Sequence, residues 1–383
     1  MIKIITVIGA RPQMIKASAI SREIKANYQD KITEIIIHTG QHYDENMSQI
    51  FFDELDIPKE KYNLEVGSGS HAYQTANIML KLEPILMKEK PNYLLLYGDT
   101  NSTIAAALCA VKLFIPIIHI EAGVRAYNKD MPEEVNRILT DHLSTLLFTP
   151  TKAGYDALVK EGFHHDELKQ SSYNNPGFYL CGDIMYDNTL YFKSKVNNEV
   201  LFSKFGINDK YVLFTMHRPS NVDNEFILSN ILKTVLNLAD ENQTMFVFPI
   251  HPRTLNSIEK IKDTDLKQKF LNHKNIKLLP PASFIEMIGL ESQAEMIITD
   301  SGGVQKEAYF LRKPCLIMLE ETPWIELIES KCAKLVGNDP NKIREGFHYY
   351  YQNDDLVFDE IYGSGDSSKF ILKTIINHYQ KKV

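Results

Sequence analysis

The sequence predicts a two-domain protein of the parallel α/β class, on three observations. At 383 residues the chain is longer than one ordinary domain. Short apolar runs alternate with helical patterns along both halves, as in a parallel sheet flanked by helices. Between the halves, 164–177 is polar, mixes Ser, Asn, Pro and Gly, and has no period, which marks a linker. The expected domains are 1–170 and 178–365.

In order, Ile2–Ile8 is the first strand, Gly9-Ala10-Arg11-Pro12-Gln13 a turn, and 14–27 a helix. A strand over 35–38 leads into the polar loop Thr39-Gly40-Gln41-His42-Tyr43-Asp44. Residues 75–89 read as a helix that must kink at Pro84 or be compensated there. Tyr93–Tyr97 is a strand, followed by a helix running to 113 and a strand over 115–120. Pro132 fits the first position of a helix, ahead of a strand at Leu146–Thr149 and a helix from Thr151. The alternation then resumes, with strands at Tyr211–Thr215, Met245–Pro249, Ile276–Leu279, Met296–Thr299 and 315–318, and an amphipathic helix over 367–379.

Composition narrows the function. With 44% hydrophobic residues the chain has enough apolar side chains for sizeable cores. A net charge of −7 and a pI of about 6.0 argue against a nucleic-acid or membrane-surface partner. Cys109, Cys181, Cys315 and Cys332 are far apart and form no Cys-x-x-Cys pair, which fits reduced thiols in a cytoplasmic protein. The first apolar run is too short for a signal peptide, and no run approaches a membrane span.

Ligands in open α/β sheets bind beyond the carboxyl ends of strands, so the strand-end residues are the candidates. Thr299-Asp300-Ser301-Gly302-Gly303 ends a strand and opens a helix, whose free N–H groups and positive dipole end suit a phosphate. Glu307 falls on the same face one turn further on, where a carboxylate would accept from sugar hydroxyls. After the first strand, Arg11 and Lys16 offer cations to an anion. Asp99, Glu121 and Glu133 stand just past strands or at a helix start, where converging carboxylates do acid–base work. His217-Arg218 and His251-Pro252-Arg253 end two further strands. Singly, each has a plain structural role: Asp99 as a helix cap, Glu121 as partner of Arg125, Glu133 as a favourable helix-start charge. Together they are harder to dismiss, because grouped like charges cost energy. No Gly-x-Gly-x-x-Gly fingerprint or P-loop supports a nicotinamide or NTPase reading, and no His-x-x-His or His-Glu-x-x-His spacing supports a metal.

In combination these residues resemble the non-hydrolysing UDP-N-acetylglucosamine 2-epimerase family along essentially the whole chain. The matching parts are Gly9-Ala10-Arg11-Pro12 with Ile15-Lys16, Thr39-Gly40-Gln41-His42, Gly98-Asp99-Thr100, His119-Ile120-Glu121-Ala122-Gly123, Pro132-Glu133-Glu134 with Asn136-Arg137, His217-Arg218, His251-Pro252, and Asp300-Ser301-Gly302-Gly303 with Glu307. The resemblance implies the GT-B type of α/β fold: two Rossmann-like domains whose parallel sheets face across a cleft, with a C-terminal helix, 366–383, returning to the first domain. It implies a homodimer, a UDP-sugar substrate and no redox cofactor. The implied reaction removes the C2 proton, expels UDP to leave a glycal, and adds UDP back with a proton on the opposite face. Asp99, Glu121, Glu133 and His217 are implied as catalytic. Arg11, Lys16, His251, Ser301, Gly302 and Gly303 are implied to hold the phosphates, and Glu307 the ribose.

The chain departs from the commonest family pattern at Gln13, where Glu is usual, at Pro219-Ser220, at Leu319, and at Trp324, where Arg is usual. The Arg-Pro-Gln and Trp-x-Glu-Leu segments look more like the branch acting on UDP-2,3-diacetamido-2,3-dideoxyglucuronate. The alternatives are a glycosyltransferase of the same fold, a hydrolysing 2-epimerase, and an inactive nucleotide-sugar sensor.

Overall fold

The computed structural model describes residues 1–41, 54–166, 169–208, 210–353 and 355–381. His42, Tyr43 and Asp44 lie outside the described residues. The chain divides into two compact units, Met1–Asn188 with Glu360–Val383, and Thr189–Asp359. The expected linker at 164–177 is thus interior to the first unit, which the chain leaves only after Asn188. The strand that follows this segment, Gly177–Leu180, is short and largely half-exposed, so no apolar run announced it.

In the first unit the strands are β1 (Ile2–Ile8), β2 (Ile32–His38), β3 (Tyr62–Asn63), β4 (Tyr93–Tyr97), β5 (Ile117–Ile120), β6 (Leu146–Thr149) and β7 (Gly177–Leu180). They form one parallel sheet in the order β3-β2-β1-β4-β5-β6-β7. All five residues of β4 are buried, as a central parallel strand requires. One face of the sheet presents Ile5, Val7, Leu94 and Leu96 to Ala105 and Ala106 of the helix Asn101–Lys112, and to Ile78, Leu82 and Leu86 of the helix His71–Glu89. The last three repeat every fourth residue on one helical face, and burying each contributes about 2 kcal/mol. That helix runs through Pro84, which sits on its exposed side, where water can serve the carbonyl left without a partner. The first helix, Arg11–Glu23, already starts inside the expected turn, because Pro12 fits a helix's first turn. The C-terminal helix, Ser367–Gln380, belongs to this unit: Asp187 accepts from the Ser367 and Ser368 N–H groups at 3.1 and 2.8 Å.

In the second unit the strands are β8 (Tyr211–Thr215), β9 (Met245–Pro249), β10 (Ile276–Leu279), β11 (Met296–Thr299), β12 (Cys315–Ile317) and β13 (Ala333–Leu335). They too form a parallel sheet, in the order β10-β9-β8-β11-β12-β13. Both orders run outward from the first strand of the unit and then reverse. The reversal falls between β1 and β4 in the first unit and between β8 and β11 in the second, and such a switch point leaves a crevice at the strand ends. Among the described residues, no helix is long and apolar enough to cross a membrane.

Candidate active site

At the switch point of the first unit, charges are paired in private. Lys16, on the helix that follows β1, places Nζ 2.5 Å from Glu121 Oε2, with each side chain only 10% exposed. Glu121 is the residue after β5 and has φ +71°, a left-handed conformation that costs a non-glycine residue about 1 kcal/mol or more. Its N–H and that of Ala122 both donate to the Phe148 carbonyl, holding the strained turn in place. Gly98 roofs the pair. It has φ +62°, and a Cβ there would come 3.4 Å from Lys16 Nζ and 3.9 Å from Glu121 Oε1. Arg125 is therefore not the partner of Glu121. It binds Asp141 at 2.8 Å and both oxygens of Glu161 at 2.7 and 2.8 Å.

Asp99 is not a helix cap either. Thr100 caps the helix Asn101–Lys112, while Asp99 Oδ2 takes Nε and Nη2 of Arg137 at 2.9 and 2.6 Å. Arg137 also grips Glu134 at 2.8 Å, and Glu134 accepts from the N–H groups of Ala126 and Tyr127, which fixes the loop ahead of its helix. Glu133 stands exposed in the first turn of the same helix, Pro132–Leu143, where a negative charge is favourable. Arg11 is exposed in the first turn of its own helix.

Two buried devices that sequence motifs hinted at without assigning roles support this end of the sheet. His119 reaches the Gly98 carbonyl with Nε2 at 2.8 Å and Asp141 with Nδ1 at 2.6 Å, tying the end of β4 to that of β5. Burial alone pushes the Asp141 carboxyl up, but His119, Arg125 and the Gly123 N–H together hold it below the usual carboxylate range. Gln13 accepts from the N–H groups of Gly9 and Ala10 and donates to the Tyr97 carbonyl and Thr103 Oγ1, both at 2.9 Å. An amide suits all four contacts, whereas a carboxylate would turn an acceptor toward the Tyr97 carbonyl.

The switch point of the second unit is built from backbone and imidazole. Asp300, fully buried after β11, accepts from the N–H groups of His217 and Arg218 at 3.0 and 2.8 Å, from Asn221 Nδ2 at 3.0 Å, and faces His217 Nδ1 at 3.2 Å. Burial pushes its carboxyl up, but the His217 ring, the Arg218 N–H and the Asn221 amide outweigh it and hold Asp300 below the usual range. The His217 ring stays partly exposed, 5.7 Å from that of His251 between centroids. His251 caps the helix Pro252–Glu259 by accepting from the Arg253 N–H at 3.1 Å. Burial, His217 and Arg253 all push this imidazole below its ordinary value, against the Asp300 charge, so it stays neutral to lower pH. Arg253 itself is engaged by Asp223.

Ser301 occupies the N-cap position of the helix Gly302–Phe310 without a side-chain cap bond. Its N–H donates to Thr299 Oγ1, and the N–H groups of Gly302 and Gly303 open the helix, where no carbonyl of the helix can accept from them. A Cβ on Gly302 would lie 4.0 Å from Arg218 Nη2, so a guanidinium stands at this open end. The sequence pointed to Arg218 only as the neighbour of His217, without giving it a role of its own. Glu307 is buried, and its Oε2 lies 3.9 Å from where a Gly303 Cβ would be. In this unit the structure brings together His217, His251 and Asp300. In the first unit it brings together Lys16 and Glu121.

Two parallel sheets of one strand order, with polar clusters at their reversal points and an open helix start beside one of them, define a protein of the GT-B type. The family model for UDP-N-acetylglucosamine 2-epimerase matches residues 24–376. The chain is 44% identical to a UDP-N-acetylglucosamine 2-epimerase homolog of Methanococcus maripaludis, over 98% of this chain and 99% of that one. It is 41% identical to the UDP-2,3-diacetamido-2,3-dideoxy-D-glucuronate 2-epimerase of Pseudomonas aeruginosa, over 96% and 98%. The crystal structure of Methanocaldococcus jannaschii UDP-GlcNAc 2-epimerase in complex with UDP-GlcNAc and UDP superposes with a TM-score of 0.82 at 36% identity, over 98% of this chain and 100% of that one. The chain belongs to the UDP-N-acetylglucosamine 2-epimerase family, and is an isomerase of UDP-sugars.

Proposed function

We propose that the protein inverts C2 of a UDP-2-acetamido sugar by eliminating and re-adding UDP, and that the strand-end and helix-start residues named from the sequence carry this out. A base takes the C2 proton while the bond from C1 to the UDP oxygen breaks. The products are UDP and a 1,2-unsaturated glycal. The UDP oxygen then adds back to C1 and a proton enters C2 from the other face, so atoms balance and nothing is oxidised. The observation that carries this reading is the Lys16–Glu121 pair, 2.5 Å apart and nearly closed to water, on a turn strained to φ +71°. Strain kept at a strand end is common where function needs it. Asp99, Glu121, Glu133 and His217 hold and move the C2 proton. Arg11, Lys16, His251 and the N–H groups after Ser301, at Gly302 and Gly303, stabilise the charge on the departing diphosphate. Glu307 accepts from the ribose hydroxyls.

Two substrate pairs fit this chemistry: UDP-N-acetylglucosamine with its manno epimer, and UDP-2,3-diacetamido-2,3-dideoxyglucuronate with its own. The second is favoured by the Arg-Pro-Gln and Trp-x-Glu-Leu segments, which look more like that branch; the Trp324 ring of the latter lies 3.9 Å from Lys306 Nζ in a buried cation–π pair. Proton NMR in deuterated water tests the function. A new anomeric signal with deuterium at C2, from either substrate, is expected. Accumulation of free UDP and free sugar would instead mean hydrolysis, and binding of UDP with turnover of neither substrate would mean a sensor.

The protein acts as a homodimer in the cytoplasm. Tyr73, Leu80 and Met87 are exposed at seven-residue intervals on the helix His71–Glu89, an apolar stripe suited to a second copy. The four cysteines are free, as in a reducing compartment. Sedimentation of Leu80→Glu is expected to show monomers. An unchanged dimer would place the interface elsewhere.

A further inference from the structure

The second unit buries one acidic group that the proposed reaction leaves unused. Glu291 lies on the helix Phe284–Gln293, fully enclosed, and this helix packs against Gly302–Phe310, which carries Glu307. Among the described residues, no N–H or O–H of the chain donates to either Glu291 oxygen. The hydrogen-bonding group beside it is the Glu307 carboxyl, itself buried. Two ionised carboxylates have acceptors only, so this contact is repulsive unless one proton lies between them.

The surroundings decide which carboxyl keeps the proton. Among the described residues, the other titratable groups facing Glu291 are the Tyr211 hydroxyl, which donates to the Leu290 carbonyl at 2.6 Å, and the buried Cys315 thiol. Neither brings a positive charge. Glu307, by contrast, sits one turn inside a helix start, whose positive end favours an anion. Burial and the Glu307 charge both push the Glu291 carboxyl well above the usual carboxylate range.

We infer that Glu291 is a positioning residue, a neutral carboxylic acid whose O–H donates to Glu307 so that Glu307 presents one fixed negative charge to the ribose hydroxyls of UDP. The inference rests on the reading of Glu307 as the ribose ligand. Its consequence is directional. Loss of the proton as pH rises sets two charges side by side and turns Glu307 away from the nucleotide.

The test is calorimetric titration of the full-length protein and its variants with UDP, from neutral to alkaline pH. Wild-type affinity is expected to fall on the alkaline side. Glu291→Leu fills the space without a donor, and is expected to bind UDP roughly tenfold more weakly at neutral pH. Glu291→Gln, which can still donate, is expected to recover most of that loss and to remove the alkaline fall. In the infrared spectrum, Glu291→Gln is expected to lose one protonated-carboxyl band that the wild type has. If Glu291→Gln binds as weakly as Glu291→Leu, or keeps the wild-type pH profile, Glu291 is not the donor. If Glu307→Gln binds UDP and its 2′,3′-dideoxy analogue as the wild type does, the ribose reading fails first and takes the inference with it.

Discussion

The two units share one strand order and differ in what they place where that order reverses. The first sets full charges there, each already matched: Lys16 with Glu121, Asp99 with Arg137. The second sets a helix start opened by glycines, two imidazoles, and one buried carboxylate that spends its oxygens on backbone N–H groups. The same topology thus carries two kinds of polar cluster. Paired charges near a nearly dry strand end suit proton transfer. Backbone donors and a neutral imidazole suit holding an anion that comes and goes.

The largest expected effect separates these two tasks. Glu121→Gln should lower kcat by roughly a thousandfold, within the usual range for removing an acid–base group, while UDP affinity stays within about threefold. Stopped turnover and calorimetry measure the two. A parallel loss of UDP binding would erase the division of labour.

Next in size is Asp300→Asn. It puts an amide N–H against the N–H groups of His217 and Arg218, and is expected to cost about 3 kcal/mol in the second unit. Hydrogen exchange read by mass spectrometry should show peptides from 189–359 opening first. Equal loosening of the first unit would contradict the comparison.

A similar magnitude is expected from pH alone, in the other unit. Burial holds the His38 imidazole down at about 4, from an ordinary value of 6.5. Between those values the unfolded chain binds a proton that the folded one refuses, so stability falls as pH drops through this window. The loss approaches about 3 kcal/mol at its acid end. Asp300, whose carboxyl is held below its ordinary 3.8, adds its own loss only as pH falls below that value. His251, also held below its ordinary value, adds a loss of the same sign in the second unit, so His38→Gln should restore acid stability selectively to the first unit, as hydrogen exchange would read it.

The smallest effect is the most specific. Gly303→Ala adds a methyl that meets nothing closer than Glu307 Oε2 at 3.9 Å, and alanine favours a helix. Thermal stability should hold or rise slightly, while UDP binds roughly tenfold more weakly because the methyl covers the helix start. Unchanged affinity would move the anion elsewhere.

The sequence alone determined the α/β class, the buried strands and the positions of nearly every strand-end residue. Central parallel strands must be apolar throughout, so their ends show as abrupt changes in the sequence at Ile8, Tyr97, Ile120, Thr215 and Thr299. The edge strands β3, β7 and β13 left no such mark, because they are short and only partly buried, and the linker was misplaced for the same reason. Only the tertiary structure decided the pairings. Local spacing pointed from Glu121 to Arg125, yet the cation that reaches Glu121 is Lys16, from a different strand crossing, and Arg125 goes to Asp141 and Glu161. Asp99 looked like a cap and became the partner of Arg137, and Glu291, unremarkable in its helix, lies against Glu307. Hydrophobic periodicity is a local property of the chain, whereas a charge finds its partner by distance in space, which is set only once the sheets have brought remote segments together.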